Sequence, residues 1–144
     1  MRDLVAPLLD DSGFENKLDS KPYLLGVKNG VIDLRTGYLR NREPEDMIYQ
    51  IVDVIYDTNA DTTLMANFIS DTMAGNNQMI KFLPKFLGYS ITGEILEEVF
   101  AIFTGIGRNG KGVISQLFTD LFGKIYVVDM PAGLISGDPK TLKP

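Results

Sequence analysis

The sequence predicts an α/β protein in two parts, a small α+β module followed by a strand–loop–helix–strand unit. Short β-prone runs separated by turn glycines occupy residues 23–40, and apolar residues at helical spacing follow from residue 62. Beyond residue 98, an apolar run, a glycine-rich loop and a second helical pattern follow one another. Strands followed by helices, as in the first part, are typical of an α+β domain. The strand–loop–helix–strand order of the second part is typical of the beginning of a parallel α/β sheet.

Composition excludes several kinds of chemistry. The chain has 144 residues, enough for a real core, and contains neither cysteine nor histidine. Disulfides, thiolate nucleophiles, zinc–sulfur sites and histidine-based catalysis are therefore excluded. The net charge of −5 argues against a uniformly basic nucleic-acid surface. No apolar run approaches the roughly 18–20 residues that span a bilayer, and no signal peptide is recognisable, so we expect a cytosolic protein without a membrane partner.

The first module begins with a weak segment. Residues 1–20 contain Pro7 and an acidic, glycine-containing run, so we expect a loosely held end. In residues 23–40, Gly30 and Gly37 supply the positive φ that two hairpin turns need, which predicts an antiparallel meander. Residues 47–57 alternate in a way that predicts a strand with both faces largely covered.

Two helices are predicted next. The first follows Asp61 or Thr62 as the N-cap and ends at Gly75. The second covers residues 79–87 and contains Pro84, where we expect a kink or a restart. A change of composition over residues 92–98 predicts the boundary of the module.

The second part is organised around a glycine-rich loop. Residues 99–103 form a short apolar run typical of a parallel strand buried on both faces. Residues 113–122 have the spacing of an amphipathic helix that ends at Gly123. Between them lies the candidate nucleotide-binding loop, which consists of Gly105, Ile106, Gly107, Arg108, Asn109, Gly110, Lys111 and Gly112.

The loop matches the first seven positions of the P-loop pattern G-x-x-x-x-G-K-[ST]. Glycines let successive backbone N–H groups converge on phosphate oxygens, and the helix start adds its free N–H groups. Lys111 would be the catalytic cation, placed at the β- and γ-phosphates of ATP. The eighth position is Gly112, where a hydroxyl normally holds Mg²⁺, and Ser115 lies one turn too far along. No protein ligand for a metal is predicted: either Mg²⁺ is held through water and the nucleotide, or nucleotide binding survives with weak hydrolysis. The alternative is a tight strand–helix turn with an exposed lysine.

Three blocks of the sequence resemble a known family. These are YLLGVKNGVIDLRTGYLR at residues 23–40, FLPKFLGYSITGE at residues 82–94 and FTGIGRNGKG at residues 103–112. In this order they resemble the primase–helicases of poxviruses, giant viruses, phages and plasmids, which carry a characteristic domain before a superfamily 3 helicase core. Lys21 departs from the asparagine common in that family.

The resemblance implies a replicative, ATP-dependent DNA helicase that works as a ring, hexameric in the full-length protein. It would act in the bacterial cytoplasm or in an infected host cell, with DNA and other replication proteins as partners. The resemblance divides the chain into residues 1–20, an α+β domain at 21–95 and the incomplete beginning of an AAA+-like P-loop core at 96–144. Asp129 ends a predicted strand at 125–130, and no acidic second motif follows. The chain is therefore expected to be a fragment with negligible ATPase activity.

Two functional hypotheses remain open at this point. In the first, the chain is part of a helicase and the loop binds ATP. In the second, it is an assembly or DNA-binding module with a vestigial loop, which Gly112 favours. A third, a small-molecule P-loop kinase, would need a lid and an acceptor site. Six basic residues could form a DNA-binding patch, although an ordinary solvated surface is the simpler interpretation: Lys17, Lys21, Lys28, Arg35, Arg40 and Arg42.

Overall fold

The computed structural model describes residues 13–105, 107, 109–130 and 133. The chain divides into two compact units, Met1–Gly110 and Lys111–Pro144. Most of the segment expected to be loosely held, residues 1–12, lies outside the described residues. Within its described part, a 3-10 helix covers Glu15–Lys17. The carboxylate of Asp19 then accepts hydrogen bonds from the backbone N–H groups of Tyr49 and Gln50.

The predicted meander is confirmed as a three-stranded antiparallel sheet of order β1-β2-β3. The strands are β1 (Leu24–Val27), β2 (Gly30–Asp33) and β3 (Tyr38–Arg40). Val27 pairs with Gly30 across the first turn, and Val31 pairs with Arg40. Gly37 has a φ of 73°, as the second turn requires. Val27 and Val31 are 1% and 0% exposed, and this register places them on opposite faces of the sheet, so both faces are covered here.

Residues 47–57 run beside β1 without forming a regular strand. Val52 makes an isolated parallel bridge with Val27. Its N–H donates to the carbonyl of Gly26 at 2.9 Å. The predicted alternation is correct, but only one face is covered: Val52 is 2% exposed, whereas Tyr49 and Ile55 are 74% and 71% exposed. The prediction that both faces are covered is therefore wrong.

The first two helices follow the sheet. Helix α1 covers Thr63–Thr72, and the carboxylate of Asp61 accepts the N–H of Thr63 at 2.9 Å. At its end, the N–H of Gly75 donates to the carbonyl of Ser70 and that of Ala74 to Asp71. This pair of bonds is a Schellman motif, which closes the helix near the predicted Gly75.

Helix α2 covers Asn77–Ser90 and begins at an Asn76 side chain that accepts the N–H groups of Gln78 and Met79. The expected restart at Pro84 does not occur, because one helix continues through this residue. Pro84 is exposed and its neighbour Leu83 is buried, so the proline ring lies on the solvent-facing side of the helix.

The second unit contains helix α3, Lys111–Tyr126. Its regular geometry is broken at Gly123, where φ is 65° and ψ is −174°. The helix therefore starts two residues before the predicted range, and the predicted end at Gly123 is confirmed as a break in helical geometry.

Two predicted strands are absent from the described part of the chain. Residues 99–103 have no regular secondary structure, and Val99, Phe100 and Ile102 are 63%, 85% and 74% exposed. Residues 125–126 belong to α3, and 127–130 have no regular structure. An apolar strand needs neighbouring strands to satisfy its backbone, and the described residues provide none beside these segments. The described part of the chain is thus a small α+β structure with one three-stranded sheet and three α-helices.

Candidate functional site

The candidate loop spans the boundary between the two units in the sequence. Gly105, Gly107, Asn109 and Gly110 end the first unit, whereas Lys111 and Gly112 are the first two residues of α3. Ile106 and Arg108 lie outside the described residues. Gly107 has a φ of 98° and Gly110 a φ of 79°, so both occupy the region that favours glycine. The backbone conformation at these two positions therefore favours glycine over any residue with a side chain.

Gly110 is also closely packed against α1. A Cβ atom added to Gly110 would lie 2.8 Å from Oγ1 of Thr72 and 3.0 Å from Cζ of Phe68. Phe68 is one of the apolar residues at helical spacing after residue 62, a pattern that predicts a position in the core. The pattern does not predict a contact between Phe68 and the loop. Nothing in the sequence indicates a role for Thr72, because the contact joins distant parts of the chain.

Gly112 has a different environment. A Cβ atom at this position would meet no described atom within 4 Å. A serine could therefore be accommodated, and the missing hydroxyl is not explained by a lack of space. Among the described residues there is also no cluster of three or more acidic side chains that could hold a metal ion.

The apolar run before the loop packs on α2. The rings of Phe86 and Phe103 meet edge to face, with centroids 6.3 Å apart. An open groove of about 660 Å³ lies between α2 and this run, and Phe82, Phe100 and Ile102 contribute to its lining. The described contact of the run that was predicted to be a strand is therefore one ring contact with a helix, and no strand pairing is described for it.

Two of the motif blocks are in direct contact. The N–H of Gly93, in the second block, donates to the carbonyl of Pro22 at 2.8 Å, immediately before the meander. A Cβ atom on Gly93 would lie 2.9 Å from Cα of Pro22, so glycine permits this approach. Next to it, hydrogen bonding with Glu94, assisted by burial, raises the pKa of the Tyr23 hydroxyl. The sheet and the segment that follows α2 are therefore joined at this point.

Half of the six candidate DNA-binding charges are paired with carboxylates. Lys28 contacts Asp53 at 2.8 Å, Arg35 contacts Asp33 at 2.7 Å, and Arg40 contacts Asp46 at 2.6 Å. The ammonium of Lys21 donates to the carbonyl of Glu45 at 2.7 Å. Three of the six basic side chains are thus neutralised locally by carboxylates, which supports the simpler interpretation of these charges as an ordinary surface.

The described part of the chain contains no helix with the length and apolar character needed to cross a membrane.

The first half of the chain matches a known family. Residues 3–74 match the family described as D5 N terminal like. The chain therefore belongs to this family of amino-terminal domains. The matched segment includes the sheet and all of α1 and ends before the candidate loop.

Longer viral proteins are similar to most of the chain. A protein of Acanthamoeba polyphaga mimivirus named "Putative helicase" is 29% identical over 126 residues, covering 84% of this chain and 13% of that protein. A "Putative helicase" of Invertebrate iridescent virus 6 is 28% identical over 141 residues, covering 94% of this chain and 14% of the relative. A "Putative primase" of African swine fever virus is 26% identical over 140 residues, with 93% and 14% covered. The chain thus spans about one-seventh of the length of these relatives. They match the primase–helicase family that the sequence blocks indicate.

Proposed function

We propose that this chain is part of a replicative DNA helicase and that residues 105–112 bind the phosphates of ATP. The observation that carries the proposal is the backbone of the loop: Gly107 and Gly110 have φ values of 98° and 79°, and a helix begins at Lys111. Left-handed glycines allow neighbouring N–H groups to form an anion-binding concavity. The N-terminus of an α-helix, which carries the positive end of the helix dipole, would add to this concavity.

Lys111 is the proposed cation for the β- and γ-phosphates. It occupies the lysine position of the motif, and phosphate loops use such a lysine as a compact charge. Gly112 provides no hydroxyl for Mg²⁺, so the proposed site binds the metal through the nucleotide. We accordingly propose that this chain binds ATP but turns it over at a negligible rate.

The names of the relatives support a role for this activity in DNA replication. Proteins named helicase and primase in large DNA viruses suggest a role in viral, phage or plasmid DNA replication. In that setting the full-length protein would assemble as a hexameric AAA+-like ring on DNA with other replication proteins, in the bacterial cytoplasm or the infected cell. Because Lys28, Arg35 and Arg40 are each paired with a carboxylate, we do not assign DNA contact to these three side chains.

The test is a titration of labelled ATP against wild type, Lys111→Ala and Lys124→Ala, with and without Mg²⁺. Lys124 belongs to the same helix but to its last turn, so it controls for loss of one charge. Loss of a charged hydrogen bond of about 1.5–3 kcal/mol predicts roughly 10- to 100-fold weaker binding in Lys111→Ala and no change in Lys124→Ala. Equal affinity of all three proteins would refute the proposed site.

A second candidate function is supported by Gly112. In it, the chain is an assembly or DNA-binding module whose loop no longer binds nucleotide. The variant Gly112→Ser separates the two, because the added side chain has space. If the loop binds ATP, the new hydroxyl should increase the Mg²⁺-dependent part of the affinity. If the module alone is functional, wild type and Gly112→Ser should both fail to bind ATP, and sedimentation with single-stranded DNA should still detect association.

A further inference from the structure

The loop is in contact with the family domain, and the contact has a defined shape. Phe68 and Thr72 are one helical turn apart, so their side chains lie on the same face of α1. A Cβ on Gly110 would approach Oγ1 and Cγ2 of Thr72 to 2.8 and 3.0 Å and Cζ of Phe68 to 3.0 Å. The two side chains therefore form a seat, which we call the α1 seat, into which only a glycine fits without displacement.

The position of Gly110 is restricted in two independent ways. Its φ of 79° strains any residue with a side chain, and the α1 seat leaves no room for a Cβ atom. Both Phe68 and Thr72 are half-buried, as expected for side chains covered by a neighbouring segment. The end of α1 is in turn fixed by the Schellman bonds of Ala74 and Gly75. The seat is thus part of a well-defined helix end.

We propose that Phe68 and Thr72 are positioning residues of the candidate nucleotide site, so that the amino-terminal domain itself sets the conformation of Gly110. This inference rests on the proposed function and extends it. The segment that defines the family, residues 3–74, contains both side chains, whereas the loop lies beyond it. The family domain then acts as a structural support of the loop. A bound polyphosphate would be recognised by a backbone that α1 has already shaped, which lowers the ordering cost of binding.

The shape of the seat can be tested without nucleotide by a double-mutant cycle. Gly110→Ala is placed in the wild type, in Thr72→Ala, which removes two of the three close atoms, and in Thr63→Ala as a matched control on the same helix. Hydrogen exchange at the amides of Asn109 and Gly110 is measured. We expect Gly110→Ala to accelerate exchange roughly tenfold in the wild type and in the control, and at least threefold less in Thr72→Ala. Equal acceleration in all three backgrounds would overturn the proposal.

The effect on the site is tested by ATP affinity. Thr72→Ala should weaken binding roughly 3- to 10-fold, whereas Thr72→Val, which preserves the shape of the side chain, should restore it, and Thr63→Ala should leave it unchanged. A loss in Thr72→Val equal to that in Thr72→Ala would contradict positioning by shape. If wild type does not bind ATP at all, the proposed function fails, and the nucleotide-free cycle still decides whether the α1 seat holds Gly110.

Discussion

The guanidinium of Arg40 donates two hydrogen bonds, of 2.8 and 2.6 Å, to the carboxylate of Asp46. The side chain of Asp46 is only 5% exposed. The backbone N–H of Glu43 adds a third bond to the same carboxylate, at 2.9 Å. A carboxylate so far out of water is tolerable only with such partners. This pair therefore fixes the end of β3 to the 3-10 helix Pro44–Asp46.

Removing the arginine should be costly for stability. We expect Arg40→Ala to lower the free energy of unfolding by about 2–3 kcal/mol, less than for a fully buried pair because Arg40 is 43% exposed. Urea unfolding followed by circular dichroism measures the change. Arg42→Ala, an exposed neighbour, should stay within about 0.5 kcal/mol of wild type. Similar values for both variants would show that the Arg40–Asp46 pair contributes little.

Stability should fall in acid for a defined reason. Hydrogen bonds from Arg40 lower the pKa of Asp46 from 3.8 to about 2, and those from Arg35 do the same for Asp33. A carboxylate with a lowered folded-state pKa stabilises the protein above pH 3.8, and this contribution disappears as the pH falls towards 2. Unfolding measured at pH 5, 4, 3 and 2.5 should show the loss over that window. Asp46→Asn should flatten the profile there, whereas Asp53→Asn, at an exposed site, controls for the removed charge.

Two glycine substitutions should have opposite effects. A Cβ at Gly26 would lie 2.7 Å from Cγ2 of Ile48 and 2.9 Å from the carbonyl oxygen of Gln50, whereas one at Gly88 meets no described atom within 4 Å. Gly26→Ala should therefore destabilise the protein by about 1–3 kcal/mol. Gly88→Ala, in helix α2, should stabilise it by about 0.5–1 kcal/mol. Thermal unfolding compares the two, and a neutral Gly26→Ala would argue against the close approach of residues 48–50 to β1.

Replacing Ala74 by glycine should increase the stability of the protein. Ala74 has a φ of 48° at the end of α1, a conformation in which its Cβ is unfavourable. Ala74→Gly should raise the free energy of unfolding by about 0.5–1 kcal/mol. The same change at Ala66, in the middle of the helix, should lower it by a similar amount. Denaturant unfolding of both variants checks the pair, and a loss of stability in Ala74→Gly would contradict the left-handed helix end.

The side chain of Asn29 makes two hydrogen bonds with the backbone of Tyr56, in the manner of a strand pair. The side-chain Nδ2 of Asn29 donates to the backbone carbonyl of Tyr56 at 2.8 Å, and the side-chain Oδ1 of Asn29 accepts the backbone N–H of Tyr56 at 2.9 Å. Asn29→Ala removes both bonds and should cost about 1–2 kcal/mol. Asn59→Ala, in an exposed turn, serves as the control. Amide exchange at Tyr56 gives a local measure, and unchanged protection there would rule out this bridge.

The sequence predicted the amino-terminal sheet and the two helices after it better than the segments on either side of the glycine-rich loop. The turn glycines and the short β-prone runs were sufficient for the meander, because a hairpin is encoded by local residues. The alternation of residues 47–57 was also read correctly, but which face is covered depends on the sheet beside it. The prediction of a strand at residues 99–103 is wrong because apolar character alone does not distinguish a paired strand from an irregular segment that contacts a helix, as Phe103 contacts Phe86.

The candidate site shows the same distinction. The positive φ expected of a glycine-rich loop is present at Gly107 and Gly110, and the helix begins at Lys111. Phosphate binding itself stays a prediction. The contributions of Phe68 and Thr72 were beyond sequence reasoning, since they arise from contacts between residues far apart in the chain.

The uncovered apolar side chains before the loop have a practical consequence for handling the protein. Ile95, Leu96 and Phe100 are 79%, 73% and 85% exposed, and they follow one another within a few residues. A net charge of −5 gives only modest repulsion between molecules. Concentrated samples should therefore lose solubility as sulfate is added, and dilute, low-salt buffers will preserve the dispersed state.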